Sequence, residues 1–273
     1  MAAAQELSPV SFGYYAPKPP LSEFIDVFWY WKGHDVLYSQ ERVLPTGVAD
    51  LVIRIQSGQS SKSGISGPKS ESILIERRRQ DEFLGVHFKI GGTFPFLGFP
   101  SDKLYNVDIT LADLWGESKA GQLLNRLHDA RTMDLKFRVL ERWFIQAARR
   151  PLKHHPAVSF ALEEVQRAGG LLSSREMAEQ VGLSQRRFIQ VFREEVGMTP
   201  KLLCRLQRFR GVIRAIQRDA MKKGDGIDWV DIALLGGYFD QAHFIHEFQE
   251  FSGLTPGEYL SLRTEHARHV LVR

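Results

Sequence analysis

Cysteine is nearly absent from this chain, which has a single one, Cys204, among 273 residues. One thiol excludes a disulfide framework and any zinc or iron–sulfur site that needs several thiolates, and it is typical of a reducing compartment. The sequence also has no apolar run near the ~18 residues that a membrane-spanning helix needs. Its first six residues lack the basic segment and apolar stretch of a secretory signal. We therefore expect a cytoplasmic protein with no membrane partner.

A strong excess of charge is also missing from the chain as a whole, where 36 basic and 32 acidic residues give a net charge of +4. The hydrophobic fraction of 43% and the charged fraction of 25% are those of an ordinary globular protein. Residues 184–223, however, hold eleven lysines and arginines against three acidic residues, a local net charge of +8. Such a run can be a solvated helix face or the footprint of a phosphate backbone. The motif beside it favours the second interpretation.

A helix-turn-helix pattern begins at Ser173, because Ser173 and Glu176 have the spacing of a capping box. A glycine-containing turn follows, and Ser184 is placed to cap a second helix. Phe188 and Phe192 recur on one face of that helix, which marks the face as buried. Helix, tight turn and helix is the arrangement whose second helix enters the major groove of DNA. The side chains on the outward face are Arg186, Gln190 and Arg193.

The same pattern occurs a second time, 56 residues further along the chain. The matching pairs are Phe188 and Phe244, Phe192 and Phe248, Gly197 and Gly253, and Pro200 and Pro256. Asp240 takes the capping position, and the second turn is one residue longer than the first. The outward side chains of the second copy are Ala242, His246 and Gln249, flanked by Gln241 and Ile245. We predict helix-turn-helix units at 173–196 and 228–252.

Between the two copies, the sequence predicts one helix over residues 200–221. Pro200 suits its first turn, and apolar residues recur along it with helical spacing. At 1.5 Å per residue this helix is about 30 Å long, close to the ~34 Å of one turn of the DNA duplex. One rigid rod can therefore present two recognition helices to successive major grooves on one face of DNA.

These residues resemble the DNA-binding domain of the AraC/XylS transcription regulators, over about residues 156–262. The stretch from Gly237 to Phe244, GYFDQAHF, carries most of the resemblance, together with the turn Gly197-Met198-Thr199-Pro200. The resemblance implies a bacterial, sequence-specific transcription regulator whose partners are double-stranded DNA and the transcription machinery. The chain departs from the family at Gln190, where arginine is common, and at Ile189, where a small polar residue is common. Since glutamine tends to read adenine and arginine guanine, the base preference of relatives does not transfer.

The residues that we expect to face base edges or nearby phosphates lie on the second helix of each unit. The four phenylalanines of the inner faces are expected to be core and to make no contact with DNA. His246 is ambiguous, because an exposed helical histidine is usually inert, although it matches Gln190 in the repeat. The candidate DNA-binding residues are Gln185, Arg186, Ile189, Gln190 and Arg193 in the first unit, and Gln241, Ala242, Ile245, His246 and Gln249 in the second.

The first 150 residues show different periodicities. Short alternating or apolar runs at 51–55, 73–77 and 83–90, bounded by Gly, Pro and Ser, predict strands of a small sheet or barrel. The segment 56–72 holds seven serines and three glycines, so we expect a mobile excursion between two strands. The aromatic-rich stretch 21–31 is either core or the wall of a pocket. The helical period over 111–149 predicts a helix pair that packs on the sheet or forms a dimer seam.

Residues 151–156 interrupt the helical pattern and are predicted to link two domains, at 1–150 and 157–273. The predicted fold is α+β: an N-terminal small β-sheet or barrel with helices, and a C-terminal all-α domain of two helix-turn-helix units joined by a long helix. The N-terminal half resembles an uncharacterised, partly cupin-like sensor domain that is often fused to AraC-type regulators. That resemblance implies control by a small organic effector or a partner, and a role in forming a homodimer. The segments that carry it include Leu44-Pro45-Thr46-Gly47, Gly91-Gly92 and Leu114-Trp115-Gly116.

An enzyme is the alternative interpretation of the N-terminal half. A metal-dependent cupin needs clustered histidine and carboxylate ligands, but the predicted strands offer only His87, and His34 lies in a predicted loop. The glycines at 91 and 92 lack the ending of a phosphate loop, and no nucleophilic triad follows from spacing. We therefore expect no catalytic residue, no metal and no cofactor. A cupin-type metalloenzyme fused to a DNA-binding tail stays as the alternative.

Overall fold

The computed structural model describes residues 11–32, 40–55, 63–76, 82–169, 173–223, 226–264 and 269–271. The strands within these ranges are β1 Ser11–Tyr15, β2 Ile25–Lys32, β3 Gln40–Val43, β4 Asp50–Arg54, β5 Gly64–Ser66, β6 Ile73–Glu76, β7 Glu82–Phe88, β8 Asp108–Thr110 and β9 His269–Leu271. Six of them form an antiparallel sheet in the order β1-β2-β7-β4-β5-β8. The runs predicted at 51–55, 73–77 and 83–90 correspond to β4, β6 and β7.

The alternation of side chains along the central strands divides this sheet into two faces. On one face, Phe28, Leu51 and Leu84 are fully buried. Three helices cover that face, α1 Leu111–Trp115, α2 Glu117–Asp129 and α3 Met133–Ala147. Phe144 of α3 packs against Phe88 of β7 at a ring distance of 5.7 Å. The helical segment predicted for 111–149 therefore packs on the sheet, which is the first of its two predicted placements.

The C-terminal half is helical, as predicted. Its helices are α4 Pro156–Ala168, α5 Ser174–Gln180, α6 Gln185–Val196, α7 Pro200–Lys223, α8 Trp229–Leu235, α9 Gln241–Ser252 and α10 Pro256–Leu262. They surround a core in which Phe188, Phe192, Phe209, Phe244 and Phe248 are at most 1% exposed. The α+β fold class is confirmed. None of the helices in the described ranges has the length and apolarity needed to cross a membrane.

The two halves are joined by more than the chain between them. Strand β9, near the C-terminus, pairs with β3 of the N-terminal half, with Val270 opposite Arg42, in a second sheet ordered β6-β3-β9. Val270 and Leu44 are both part of the C-terminal hydrophobic core. The sequence did not indicate β9, because its pairing partner lies more than 200 residues away.

The segment 56–72 was expected to be a mobile excursion, and this expectation is wrong for residues 63–72. Residues 56–62 lie outside the described ranges. His34, which was predicted to lie in a loop, is also outside them. Gly64–Ser66 forms β5, which pairs with both β4 and β8. A Cβ atom on Gly64 would lie 2.3 Å from the Ile109 carbonyl oxygen, and one on Gly67 would lie 1.7 Å from that of Leu104. These glycines therefore permit close backbone packing, whereas the composition of the segment suggested flexibility.

Candidate nucleic-acid interface

Helix α6 is the second helix of the first helix-turn-helix unit, and local sequence sets both of its ends. The Ser184 side chain accepts a hydrogen bond from the Arg187 backbone N–H, and Gly197 ends the helix with a φ of 91°. Phe188 and Phe192 are fully buried, which fixes the rotation of the helix about its axis. On the outer face, Gln185, Arg186, Gln190 and Arg193 are exposed and Ile189 is half-buried.

Helix α9 repeats this geometry in the second unit and has the same length of 12 residues. The Asp240 side chain accepts a hydrogen bond from the His243 backbone N–H, and Gly253 ends the helix with a φ of 69°. On the outer face, Gln241, Ala242, His246 and Gln249 are exposed and Ile245 is half-buried. The structure thus brings the ten candidate residues onto two equivalent helix faces, and their contact with DNA stays a prediction.

The two turns are also equivalent at the backbone. Gly182 and Gly237 both have a φ of 70°, a conformation that favours glycine. The N–H of Leu183 bonds to the carbonyl of Ala178, and the N–H of Tyr238 bonds to the carbonyl of Ala233, both at 3.0 Å. Ser184 follows Leu183 at once, whereas one residue separates Tyr238 from Asp240. The extra residue of the second turn is therefore Phe239, whose side chain is 90% exposed.

Helix α7 connects the two units without interruption over 24 residues, from Pro200 to Lys223. At 1.5 Å per residue its length is about 36 Å. Leu203, Leu206, Phe209 and Val212 along it are at most 1% exposed, so its apolar side lies in the core shared by both units. Cys204 is buried there as well, and burial raises the pKa of its thiol. The two units are therefore parts of one packed body.

Several cations of the basic segment are bound within the protein, which the sequence did not reveal. The Arg205 guanidinium donates to Glu247 at 2.7 Å and to Glu250 at 2.5 Å, which ties α9 to α7. Arg208 lies 3.7 Å from the same Glu247, whose side chain is 3% exposed. Arg210 donates to the Thr46 carbonyl at 3.5 Å. Burial, together with the Glu247 carboxylate, raises the pKa of Tyr238 beside this network.

The cations that remain on the exterior are fewer than the composition suggests. Arg193 is exposed but donates to Asp102 of the N-terminal half at 3.2 Å. The side chains of Lys222 and Lys223 lie outside the described part of the chain. The exposed cations of the segment, apart from Arg193, are Arg186, Arg187, Lys201, Arg214 and Arg218.

A buried carboxylate on α6 contacts the interdomain linker. Glu195 is 6% exposed and accepts hydrogen bonds from His154 Nδ1 at 2.8 Å and from the His155 backbone N–H at 3.1 Å. The His154 ring in turn lies 4.9 Å from that of Phe24 in the N-terminal half. The linker predicted at 151–156 is thus held against the first recognition helix. Glu195 lies three residues after Phe192, so helical spacing puts it on the inner face of α6, but the sequence gives no sign of its partner.

The sheet face opposite the helices carries a cluster of half-buried aromatic side chains. The Trp31 and Phe83 rings stack at 5.9 Å, and an added Cβ on Gly85 would meet the Trp29 ring at 2.1 Å. Beside them, His87 Nδ1 and an Asp50 carboxylate oxygen are 2.6 Å apart. The described residues include no group of three or more histidine, cysteine or acidic side chains that could hold a metal ion. The Arg54 guanidinium also lies on this face, 5.3 Å from the centre of the Phe83 ring. The face therefore combines aromatic rings with a cation and the pair of His87 and Asp50.

Comparison with family models matches residues 177–262 to a helix-turn-helix domain and residues 14–110 to a domain of unknown function (DUF6597). A search of curated proteins found no match. Among solved structures, the chain is similar to ToxT from Vibrio cholerae, with 14% identity and a TM-score of 0.39 over 87% of this chain and 94% of that one. An apo ToxT variant shares 10% identity (TM-score 0.39, 94% and 98% covered). Unsaturated fatty acid bound ToxT shares 11% (TM-score 0.37, 96% and 99% covered).

Proposed function

We propose that this protein is a transcription regulator that binds double-stranded DNA through α6 and α9 and responds to a small organic effector at its N-terminal half. The premise is that residues 177–262 form an AraC-type helix-turn-helix domain. The chemistry required is binding, and no catalytic step is needed. Assembly into a homodimer and contact with the transcription machinery stay predictions.

One observation carries the DNA-binding proposal. Two recognition helices of equal length, with equivalent caps and equivalent exposed faces, are fixed to one continuous helix. That helix is about 36 Å long, and consecutive major-groove faces on one side of a duplex are separated by ~34 Å. A helix of that length can carry two units that face successive grooves, which a single isolated helix-turn-helix unit cannot.

The exposed polar side chains divide into two roles. Gln185 and Gln190 on α6, and Gln241 on α9, offer an amide donor and acceptor that can pair with base edges. Arg186 and Arg187, with cations on α7, are suited to phosphates, where they fix position and carry no sequence information. This division makes DNA affinity dependent on salt and makes sequence preference dependent on the glutamines.

The salt dependence of binding tests the proposal directly. If four to six of the exposed cations, Arg193 included, contact phosphates, the logarithm of affinity should fall against the logarithm of salt concentration with a slope of roughly −4 to −5. Replacing Arg186 by alanine should reduce the magnitude of the slope by about 0.9. Arg126→Ala, which removes an exposed arginine from α2 in the N-terminal half, should leave it unchanged. A wild-type slope near zero would exclude a nucleic-acid partner.

The effector is proposed to bind the aromatic sheet face around Trp31 and Phe83. Flat apolar rings suit an apolar or aromatic ligand, and the pair of His87 and Asp50 supplies the polar group that fixes its orientation. Organic compounds that raise the melting temperature of the wild type should lose that effect on the Trp31→Ala variant. An equal rise for both proteins would place the effector elsewhere.

A further inference from the structure

Phe239 is set apart by its place in the repeat. The equivalent backbone bonds of the two turns align Leu183 with Tyr238, and Ser184 with Asp240, so Phe239 has no counterpart in the first unit. It immediately precedes the N-cap of α9. A one-residue insertion has therefore placed an aromatic side chain beside the N-terminal end of the second recognition helix.

Packing within the chain does not account for this side chain. An apolar residue just before an N-cap often packs against the fourth residue of the helix. In the first unit Leu183 is half-buried against the core that contains Phe188. In the second unit Tyr238 takes that role, since it is 4% exposed and its ring lies 5.5 Å from that of Phe244. Phe239 is left outside the core and is 90% exposed.

The position of Phe239 indicates a partner. The N-terminal residues of a recognition helix are the ones that approach base edges in the major groove. The neighbouring Asp240 carboxylate disfavours a phosphate at this point, because like charges repel. Among the groups that base edges present in the major groove, the 5-methyl group of thymine is apolar, and phenylalanine is one of the side chains that contact it in protein–DNA complexes.

We propose that Phe239 is a specificity-determining residue that contacts the methyl group of one thymine in the part of the DNA site read by α9. The inference rests on the proposed DNA-binding function and deepens it. Because the first unit lacks this residue, thymine selection of this kind is confined to one half of the site.

Replacing thymine by uracil tests the contact, since uracil lacks only the methyl group. The probe is the duplex of highest affinity that the full-length wild type selects from a random-sequence pool, with its thymines replaced singly. One replacement should weaken wild-type binding about fourfold, the effect of one methyl group removed from an apolar contact. The same replacement should have no effect on Phe239→Ala, whose affinity for the unmodified duplex should be lower by roughly tenfold.

Two variants complete the experiment. Phe239→Leu keeps an apolar side chain and should retain part of the preference for thymine over uracil. Leu234→Ala removes another exposed apolar side chain, on α8, and should behave as the wild type. The proposal is overturned if no single replacement of thymine by uracil weakens wild-type binding, or if such a replacement weakens binding of Phe239→Ala equally. It is also overturned if Phe239→Ala binds the unmodified duplex as tightly as the wild type, which is the result expected if Phe239 binds a protein partner instead. Failure of the wild type to select any DNA would instead overturn the DNA-binding function itself.

Discussion

Side chains on the outer face of α6 differ in the partners that they bind within the protein in the absence of DNA. Gln190 donates to Glu194 one turn away at 2.9 Å, and both groups lie near the solvent, so this bond is easily exchanged. Arg193 is instead paired with a carboxylate of the other half of the chain. The amide of Gln190 is thus free to reorient toward a base edge, whereas Arg193 must leave a partner to reach a phosphate.

Gln190→Ala should relax base preference at one or two positions of the DNA site. A glutamine amide that pairs with adenine contributes ~1 to 3 kcal/mol against the wrong base, and alanine offers no such pair. The salt slope should stay almost unchanged, because no charge is removed. Binding to a library of single-base variants of the site, at two salt concentrations, measures both quantities.

Arg193→Ala is the matched contrast on the same helix. It should weaken binding to all sequences alike and reduce the magnitude of the salt slope by roughly 0.9. An unaltered base preference in Gln190→Ala would show that α6 does not read DNA through this face.

Secondary-structure elements that depend on nearby residues could be predicted from the sequence, and those that depend on distant ones could not. The capping box at Ser173, the cap at Asp240 and the two glycine turns involve neighbours in the chain, and the structure has them. Helical spacing likewise gave the buried and exposed faces of α6 and α9. Strand β5 was not predicted, because composition describes only the segment itself. The glycine at position 64 is required by a distant residue, since its backbone packs closely against Ile109.

The candidate site divides in the same way. Helical periodicity was enough to find the exposed glutamines. Ala178 and Ala233 are 55 residues apart, whereas Phe188 and Phe244 are 56 apart, which revealed that the second turn is one residue longer. Periodicity could not show that Arg205 faces inward, because its partners Glu247 and Glu250 lie on another helix. A count of basic residues therefore overstated the number of cations available to phosphates.

The attachment of α9 to α7 depends on this ionic network, and Arg205→Ala tests it. Removing the arginine leaves the Glu247 carboxylate, which is 3% exposed, with Arg208 at 3.7 Å as its remaining cation. We expect a loss on the order of 3 kcal/mol in the free energy of unfolding, measured by urea titration.

An exposed pair supplies the control for that measurement. Arg175 and Glu179 are 3.0 Å apart one turn from each other on α5, with side chains 77% and 63% exposed. Arg175→Ala should therefore change the free energy of unfolding by less than ~0.5 kcal/mol. Equal effects of the two substitutions would mean that the network does not stabilise the position of the second recognition helix.

At the scale of the whole molecule, the N-terminal half touches the C-terminal ends of both recognition helices. Ser72 donates to the carbonyls of Phe251 and Ser252 at the end of α9, at 3.0 and 2.9 Å. The turn Ser101–Leu104 packs against α6, and its Asp102 binds Arg193. Leu104 is 1% exposed and belongs to the N-terminal hydrophobic core, so this turn is fixed to the N-terminal half. The N-terminal half therefore binds Arg193, one of the candidate DNA-binding residues of α6.

Breaking this contact should strengthen DNA binding. Arg193 binds a phosphate less well while it is paired with the Asp102 carboxylate, so the ion pair competes with DNA. The pair is partly exposed, which limits its contribution to ~0.5 to 1 kcal/mol. Asp102→Asn should accordingly raise the affinity of the full-length chain for a duplex roughly two- to fivefold.

A double-mutant cycle separates this competition from a general change in charge. In an Arg193→Ala background, Asp102→Asn should have no effect on affinity, because the competing cation is gone. Asp108→Asn removes another paired carboxylate of the N-terminal half, one bound to Lys69 at 2.7 Å, and should leave affinity unchanged. If Asp102→Asn gives the same gain with and without Arg193, the cause is reduced repulsion of DNA by a negative charge. A gain that requires Arg193 makes the contact between the two halves a direct restraint on DNA binding.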